Sequence, residues 1–459
     1  MRKSVDSLAV WGLTALLALL AWTGSARADE AVWPESAVLG AYLEEGARAN
    51  PGLQAAFARF DAALEKVPQA RAWPDPRLSF GVFVVPVETR TGPQRMKYGV
   101  SQRLPWFGKR DLKAGAAELE AGALLARARE VKLTLFRDIG SAYFEYAYLG
   151  RAIGSAREEL ELLKFFEALV EAKYAVSSAS YADLTRIQVE RARAEERIAS
   201  LEDYRLPLSE RLRTLLGRSA GGVLPMPASL PMVETTWDEA RIMTAIGEQN
   251  QALAALDARA GAADAAEAVA AREFYPDLTV GVESVYTDAP RMPGVVNEGR
   301  DPVALTFGIN LPLDLEARQA AVRQARKTAR AARLERADRA AALEAQASRL
   351  FFGLRDTARR LELLSETIVP KARQNLDASV DAYQAGRVSM TDLLSAEKIL
   401  VELELQYQRV LADQAVRLAE LDVLAGQELP RKFLHVPTLA GTERTRELRV
   451  ELQQPVASK

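Results

Sequence analysis

The chain has 459 residues, with 60 Lys and Arg against 62 Asp and Glu, so its charges nearly cancel and nothing points to nucleic acid as a partner. No cysteine occurs, which excludes disulfides, thiolate metal sites and thiol nucleophiles. The seven methionines form no soft-metal cluster, the sole histidine, His435, sits in a polar tail, and no catalytic constellation or cofactor site can be placed.

In chain order, Arg2 and Lys3 precede an apolar run over residues 8–22, followed by small residues at Ala26 and Ala28. This pattern reads as a secretory signal peptide over residues 1–28, cut before Asp29. The run is shorter than the ~20 residues a spanning helix needs. No later segment is apolar enough to span as a helix, and an exported chain of this kind belongs in the periplasm or the outer membrane.

A first helix is expected over about 36–70, then two strands in a hairpin over about 77–104. Leu78, Phe80, Val82 and Val84 fall on one face of the first strand, and Met96, Tyr98 and Val100 alternate with Lys97, Gly99 and Ser101 on the return. A helix with no convincing break follows over about 107–174, then another over about 181–216. At ~1.5 Å per residue the longer one approaches ~100 Å. A Gly and Pro linker occupies about 218–237.

The same order then returns: a helix over about 238–272, a hairpin over about 277–311, a long helix over about 315–384 and a last helix over about 391–424. Matched landmarks lie at steadily growing offsets: Asn50 and Asn250 differ by 200, Pro74 and Pro276 by 202, Pro105 and Pro312 by 207, and Gly217 and Gly426 by 209. The chain is therefore an internal duplication, residues 29–217 and 238–426, closed by an irregular tail over 427–459. In the last helix Leu393, Leu400, Tyr407 and Leu421 form a heptad seam with Leu403, Val410 and Leu424, and a second stripe of Leu394, Val401, Leu405, Ala412, Ala415 and Ala419 runs beside it. Two seams imply neighbours on both sides. Pro207 and Pro370 each remove a helix hydrogen bond and predict local bends.

An alternating strand is often half-buried in a soluble sheet. Here one face is wholly apolar and the other small or polar, as between lipid and water. Four strands cannot close a barrel, and an open edge cannot exist in hydrocarbon, so several chains must pool their hairpins. Three copies would give twelve strands and two would give eight. Alternatives are an antiparallel helical bundle, a soluble periplasmic coiled-coil adaptor, which leaves the strands unexplained, and a hydrolase with a helical accessory domain, for which no nucleophile, base and oxyanion donors can be placed.

The order of elements, the duplication and the stretch "YQAGRVSMTDLLSAE" over residues 383–397 resemble the TolC family of outer-membrane efflux ducts, whose pattern there is Y-x-x-G-x-x-S-x-x-D-L-L. "SQRLPWFGKR", residues 101–110, is similar to the strand-to-helix junction of the branch serving heavy-metal efflux pumps. The resemblance implies a mainly helical fold with transmembrane β structure: a homotrimeric twelve-stranded barrel in the cell outer membrane, continuous with a long periplasmic helical barrel. It also implies a passive channel and no enzyme, working with outer-membrane lipid around it, a periplasmic adaptor (membrane fusion) protein and an inner-membrane pump of the RND type. A type I protein-secretion exit duct is the alternative use of such a tube.

The two S-x-x-D-L stretches lie 209 residues apart (389 − 180), each behind a tyrosine, Tyr174 and Tyr383. Ser180 with Asp183, and Ser389 with Asp392, read as capping boxes where a helix restarts after a tight reversal. The turns before them are then the far ends of the helical hairpins. By resemblance these tips close the periplasmic mouth, Asp392 faces the pore in a ring that attracts cations and raises its own pKa, and Tyr383 bonds Asp183. The candidate gate residues are therefore Asp392, Asp183, Tyr383, Gly386, Arg387, Ser389, Ser180 and Tyr174. The sequence departs from the family at Ser395, where a second acid is usual, at Arg387, one place early for the basic residue, and at Ser177, opposite the tip glycine Gly386.

Overall fold

A computed structural model describes residues 36–219, 221–290, 294, 296, 297, 299–434 and 436. The expected signal peptide, His435 and the tail beyond 436 lie outside the described residues.

The first repeat holds α1 (Ser36–Ala49), α2 (Pro51–Leu64), α3 (Lys66–Arg71), β1 (Arg77–Val87), β2 (Gln94–Leu104), α4 (Lys109–Ala175), α5 (Tyr181–Asp203) and α6 (Arg205–Leu215). After β3 (Met232–Thr235), the second holds α7 (Glu239–Gln249), α8 (Gln251–Arg272), β4 (Leu278–Thr287), β5 (Val303–Ile309), α9 (Leu315–Leu363), a π-helical turn (Leu364–Ile368), α10 (Val369–Gln384) and α11 (Met390–Ala425). A last strand, β6 (Arg431–Leu434), follows. No described helix is long and apolar enough to cross a membrane.

Several expected helices are broken, each for a local reason. The helix foreseen over 36–70 stops at Asn50, whose extended backbone and side chain cap the next helix by accepting from the Leu53 N–H. Asn250 does the same to the helix foreseen over 238–272, accepting from Ala252 and Leu253. The other interruptions lie just upstream of a proline: Glu65 before Pro68, Tyr204 before Pro207, and the π turn at Leu364–Ile368 before Pro370. Proline brings no N–H to the carbonyl one turn back, and the helix widens or ends there. The long helix of the second repeat is thus not continuous, whereas α4 runs unbroken for 67 residues, ~100 Å.

The tail is also less irregular than its composition suggests. β6 pairs antiparallel with β3, so the linker and the tail join in a two-stranded sheet. Strands of four residues are too short for their alternation to stand out in a sequence. Asp422 fixes the approach, accepting from the Leu429 N–H at 2.9 Å and from Arg431.

The four long strands form one antiparallel sheet in the order β1-β2-β4-β5, so the second strand of the first hairpin lies against the first strand of the second. The register places Leu78, Val100, Val282 and Leu305 in one row, and Leu104, Leu278 and Ile309 in another, on a single apolar face. That face covers nothing: Phe80, Val84, Leu305 and Phe307 are between 69 and 95 % exposed. Ser284 interrupts it, and β5 ends at Ile309 rather than at Leu311; just beyond, Asn310 N–H donates to Asp277 O at 3.3 Å and its side chain accepts the Asp277 N–H. On the opposite face a Cβ at Gly281 would come within 2.7 Å of Thr306 Oγ1, and one at Gly99 within 2.8 Å of Glu283 Cγ. A face this crowded opposite one this splayed is the concave side of a curved sheet.

The helical part has three apolar cores. One lies around α7, α9 and the upper half of α11, one around α6 and the middle of α4, and one at the far ends of α4, α5, α10 and α11. Both seams of α11 are used: Leu393, Tyr407, Leu421 and Leu424 are buried on one, and Ala412, Ala415 and Ala419 on the other.

Candidate functional site: helix tips and the joint beneath the sheet

The two tips are built alike. After Tyr174 the chain turns through Ser177 at φ 58°, and after Tyr383 through Gly386 at φ 72°. Ser177 N–H donates to Tyr174 O at 2.9 Å and Ser178 N–H to Lys173 O at 2.7 Å; Gly386 N–H donates to Tyr383 O at 3.0 Å and Arg387 N–H to Ala382 O at 2.8 Å. Both are left-handed helix ends that satisfy the last carbonyls. The next helix starts on a reciprocal box in each case. Asp183 N–H donates to Ser180 Oγ at 3.1 Å and Ser180 N–H to Asp183 Oδ2 at 3.2 Å; the Asp392 and Ser389 pair has 3.2 and 3.1 Å.

Between the tips the symmetry ends. Tyr383 is buried in the tip core with Val170, Val380, Met390 and Leu393, whereas Tyr174 is exposed and leans on Tyr181. Lys173 crosses from the first hairpin to the second, 4.4 Å from the Tyr383 ring centre, and donates to the Tyr383 carbonyl and to Gln384 O at 3.2 Å. Arg186 reaches Thr391 Oγ1 and stands 3.9 Å from Asp183. The expected Tyr383 to Asp183 hydrogen bond is absent from this chain: the Asp183 carboxylate is held by Ser180. Asp183 is nevertheless near enough that its charge, after burial, raises the pKa of the Tyr383 hydroxyl. Arg387 and Asp392 are exposed. Within one chain the Ser389 hydroxyl and N–H hold the Asp392 carboxyl below its usual range, opposite to the rise expected from a ring of like charges.

A second constellation lies where the sheet meets the helices. Lys109, at the start of α4, is 2 % exposed. Its Nζ donates to Asp277 Oδ1 at 2.8 Å, Tyr275 O at 2.9 Å and Glu273 Oε2 at 3.3 Å. Asp277 also accepts from the Trp106 N–H at 3.1 Å, and the Trp106 ring stacks on Tyr275 with centres 5.4 Å apart. Burial pushes the Asp277 carboxyl up, but the Lys109 and Trp106 hydrogen bonds and the charges of Lys109 and Arg103 outweigh it and hold the group low. The joint thus ties the first repeat's long helix to the foot of the second repeat's hairpin. Neither Asp277 nor Lys109 stands out as a site in the sequence; "PWFGK" ends the first hairpin and "FYPD" opens the second, and the repeat alignment does not bring them together.

The repeated asparagines were visible as landmarks but not as parts. Asn50 Nδ2 donates to Leu215 O at 3.0 Å, and Asn250 Nδ2 to Leu424 O at 2.8 Å, each clamping the last helix of its own repeat.

These features form a curved sheet with a lipid-compatible face above long helices. Residues 43–218 and 244–427 match the family described as outer membrane efflux protein. The chain belongs to that family. The match divides at the duplication, and the efflux protein is accordingly an outer-membrane channel with a large periplasmic helical portion. The chain is 25 % identical over 405 residues to the cobalt-zinc-cadmium resistance protein CzcC of Cupriavidus metallidurans, covering 85 % of this chain and 90 % of that one. It is 25 % identical over 410 residues to Nodulation protein T of Rhizobium leguminosarum bv. trifolii, covering 85 % of each. The fold is similar to that of the outer membrane protein VceC from Vibrio cholerae, with a TM-score of 0.69 and 19 % identity over 85 % of this chain and 96 % of that one. Membership of the outer membrane efflux protein family replaces the soluble adaptor reading.

Proposed function

We propose that three copies of the efflux protein close a twelve-stranded barrel, and that the resulting passive duct carries heavy-metal cations delivered by a periplasmic adaptor and an inner-membrane pump of the RND type. The observation that carries the shared barrel is the sheet itself: four strands with one mainly apolar exposed face, interrupted at Ser284, and unpaired edges at β1 and β5. Hydrocarbon tolerates neither edge, so β5 of one copy pairs with β1 of the next. Metal cargo is favoured by the similarity to CzcC along most of both chains. The tips at Ser177 and Gly386 form the periplasmic mouth, with Asp392 exposed towards the pore and the Lys173 bridge to the Tyr383 turn holding the two hairpins of one copy together.

The test is a deletion strain challenged with cobalt, zinc and cadmium salts. Loss of tolerance, restored by the intact gene and not by a version lacking residues 77–104, supports the reading. Unchanged tolerance together with loss of a secreted protein would instead assign the duct to type I secretion. Cross-linking in membranes reads the copy number, and a dimer would refute the twelve-stranded barrel.

A further inference from the structure

Near the tips, α4, α5 and α11 surround a cavity of about 550 Å³, large enough for a small organic molecule. Glu397 of α11 lines it, is 3 % exposed, and has no hydrogen-bond partner for its Oε1. Several of the charged groups around it are engaged elsewhere. Glu159 of α4 is held by Arg197 of α5 at 3.0 Å, Glu190 of α5 by Arg193 at 2.8 Å, and Arg186 is turned to Thr391 and Asp183. Lys398, next to Glu397 on α11, also lines the cavity, and its charge with that of Arg197 lowers the Glu397 pKa by less than burial raises it. Glu196 and Glu402 complete the wall with two more acids.

With Glu397 ionised, five acids line the cavity against four bases, so the ionised site is one cation short. A carboxyl buried without a partner is costly, and the charges of Glu159 and Glu190 make it more so. Burial first, then those two charges, raises the Glu397 pKa to about 8, and burial also raises that of Glu159 despite its arginine. At neutral pH Glu397 is mostly a neutral acid in the cavity wall, with its Oε1 buried and unpartnered.

We propose that this cavity binds a small organic cation carrying a guanidinium or primary ammonium group, with Glu397 as its carboxylate partner. An inorganic ion suits it less, since no described group of acids or histidines is arranged to ligate a metal. On binding, the Glu397 O–H gives its proton to solvent and the freed carboxylate accepts from the ligand's N–H groups, a charge-assisted pair in a partly desolvated site. Binding and proton release are thus linked.

The test is calorimetric titration of methylguanidinium into the detergent-solubilised full-length protein, in two buffers of different ionisation enthalpy. A group with a pKa of about 8 holds roughly 0.9 proton at pH 7, so nearly one proton per site is expected to leave there and almost none at pH 9.5. Tetramethylammonium has the same charge and no N–H, and should bind at least about tenfold more weakly if hydrogen bonds decide. Glu397→Gln mimics the neutral acid in shape and should abolish the proton release with a similar loss of affinity. Ser395→Phe, on the exposed part of the wall, should block binding while leaving Glu397 in place. Methylguanidinium that does not saturate, equal binding of both cations, or unchanged binding and proton release in Glu397→Gln would each overturn the proposal.

Discussion

Replacing Lys109 by Met tests whether the joint beneath the sheet is held by one buried charge. The side chain is 2 % exposed and has three oxygen partners within 3.3 Å, two of them carboxylates. Removing one member of such a group leaves the other charge buried, at a cost of about 3 to 5 kcal/mol. For a protein of this size that corresponds to a midpoint lowered by roughly 5 °C in calorimetry of the detergent-solubilised protein. Arg333→Ala is the reference, because its ion pair with Asp264 is exposed and such pairs contribute about 0.2 to 1 kcal/mol. The double variant Lys109→Met, Asp277→Asn should recover part of the loss, a coupling of about 1 to 3 kcal/mol. The pH dependence follows from the depressed Asp277 carboxyl. Its contribution in the wild type is full above the ordinary value of 3.8 and disappears as pH falls through the lower folded value. Without Lys109 burial dominates and the sign reverses, so the gap between variant and wild type should widen from pH 3 to pH 7. A Lys109→Met midpoint no lower than that of Arg333→Ala, or a gap independent of pH, would refute the reasoning.

Three further outcomes are expected. Ser177→Gly should stabilise the first tip by about 1 kcal/mol, since a serine there holds the φ of 58° that its counterpart Gly386 adopts freely; hydrogen exchange at the end of α4 reads it. Phe307→Arg, on the exposed apolar face, should cost about 2 to 4 kcal/mol of membrane-inserted stability, whereas Ala304→Arg, three residues away beside Glu283 on the other face, should assemble normally in outer-membrane fractions. Asp392→Ala should change cation selectivity in planar bilayers; wild-type conductance across salt and pH would leave that residue its capping part alone.

Period and repetition made most of the fold readable. The alternation at Val303, Leu305, Phe307 and Ile309 and the long runs of helix formers needed no tertiary context. The breaks were harder, because the interruption at Tyr204 or Leu364–Ile368 shows itself several residues ahead of the proline that causes it. At the tips, S-x-x-D specified the capping boxes locally, but what meets Tyr383 depends on the other hairpin: Lys173 lies over its ring and bonds its carbonyl, while Asp183 is held by Ser180. Lys109 and Glu397 looked like any other helix charges in a chain with 60 basic and 62 acidic residues. Their burial arises from segments 150 or more positions away, which no local pattern reports.

Each neighbouring pair in the order β1-β2-β4-β5 is antiparallel, so the two outer strands of the sheet run in opposite directions. Because the number per chain is even, any ring of such chains meets head against tail at every seam with the same alternation, whatever the ring's size. Strand direction alone therefore imposes no copy number. Closure depends instead on how tightly the sheet bends at the crowded positions Gly99 and Gly281, so added bulk there would alter how many chains fit around the axis.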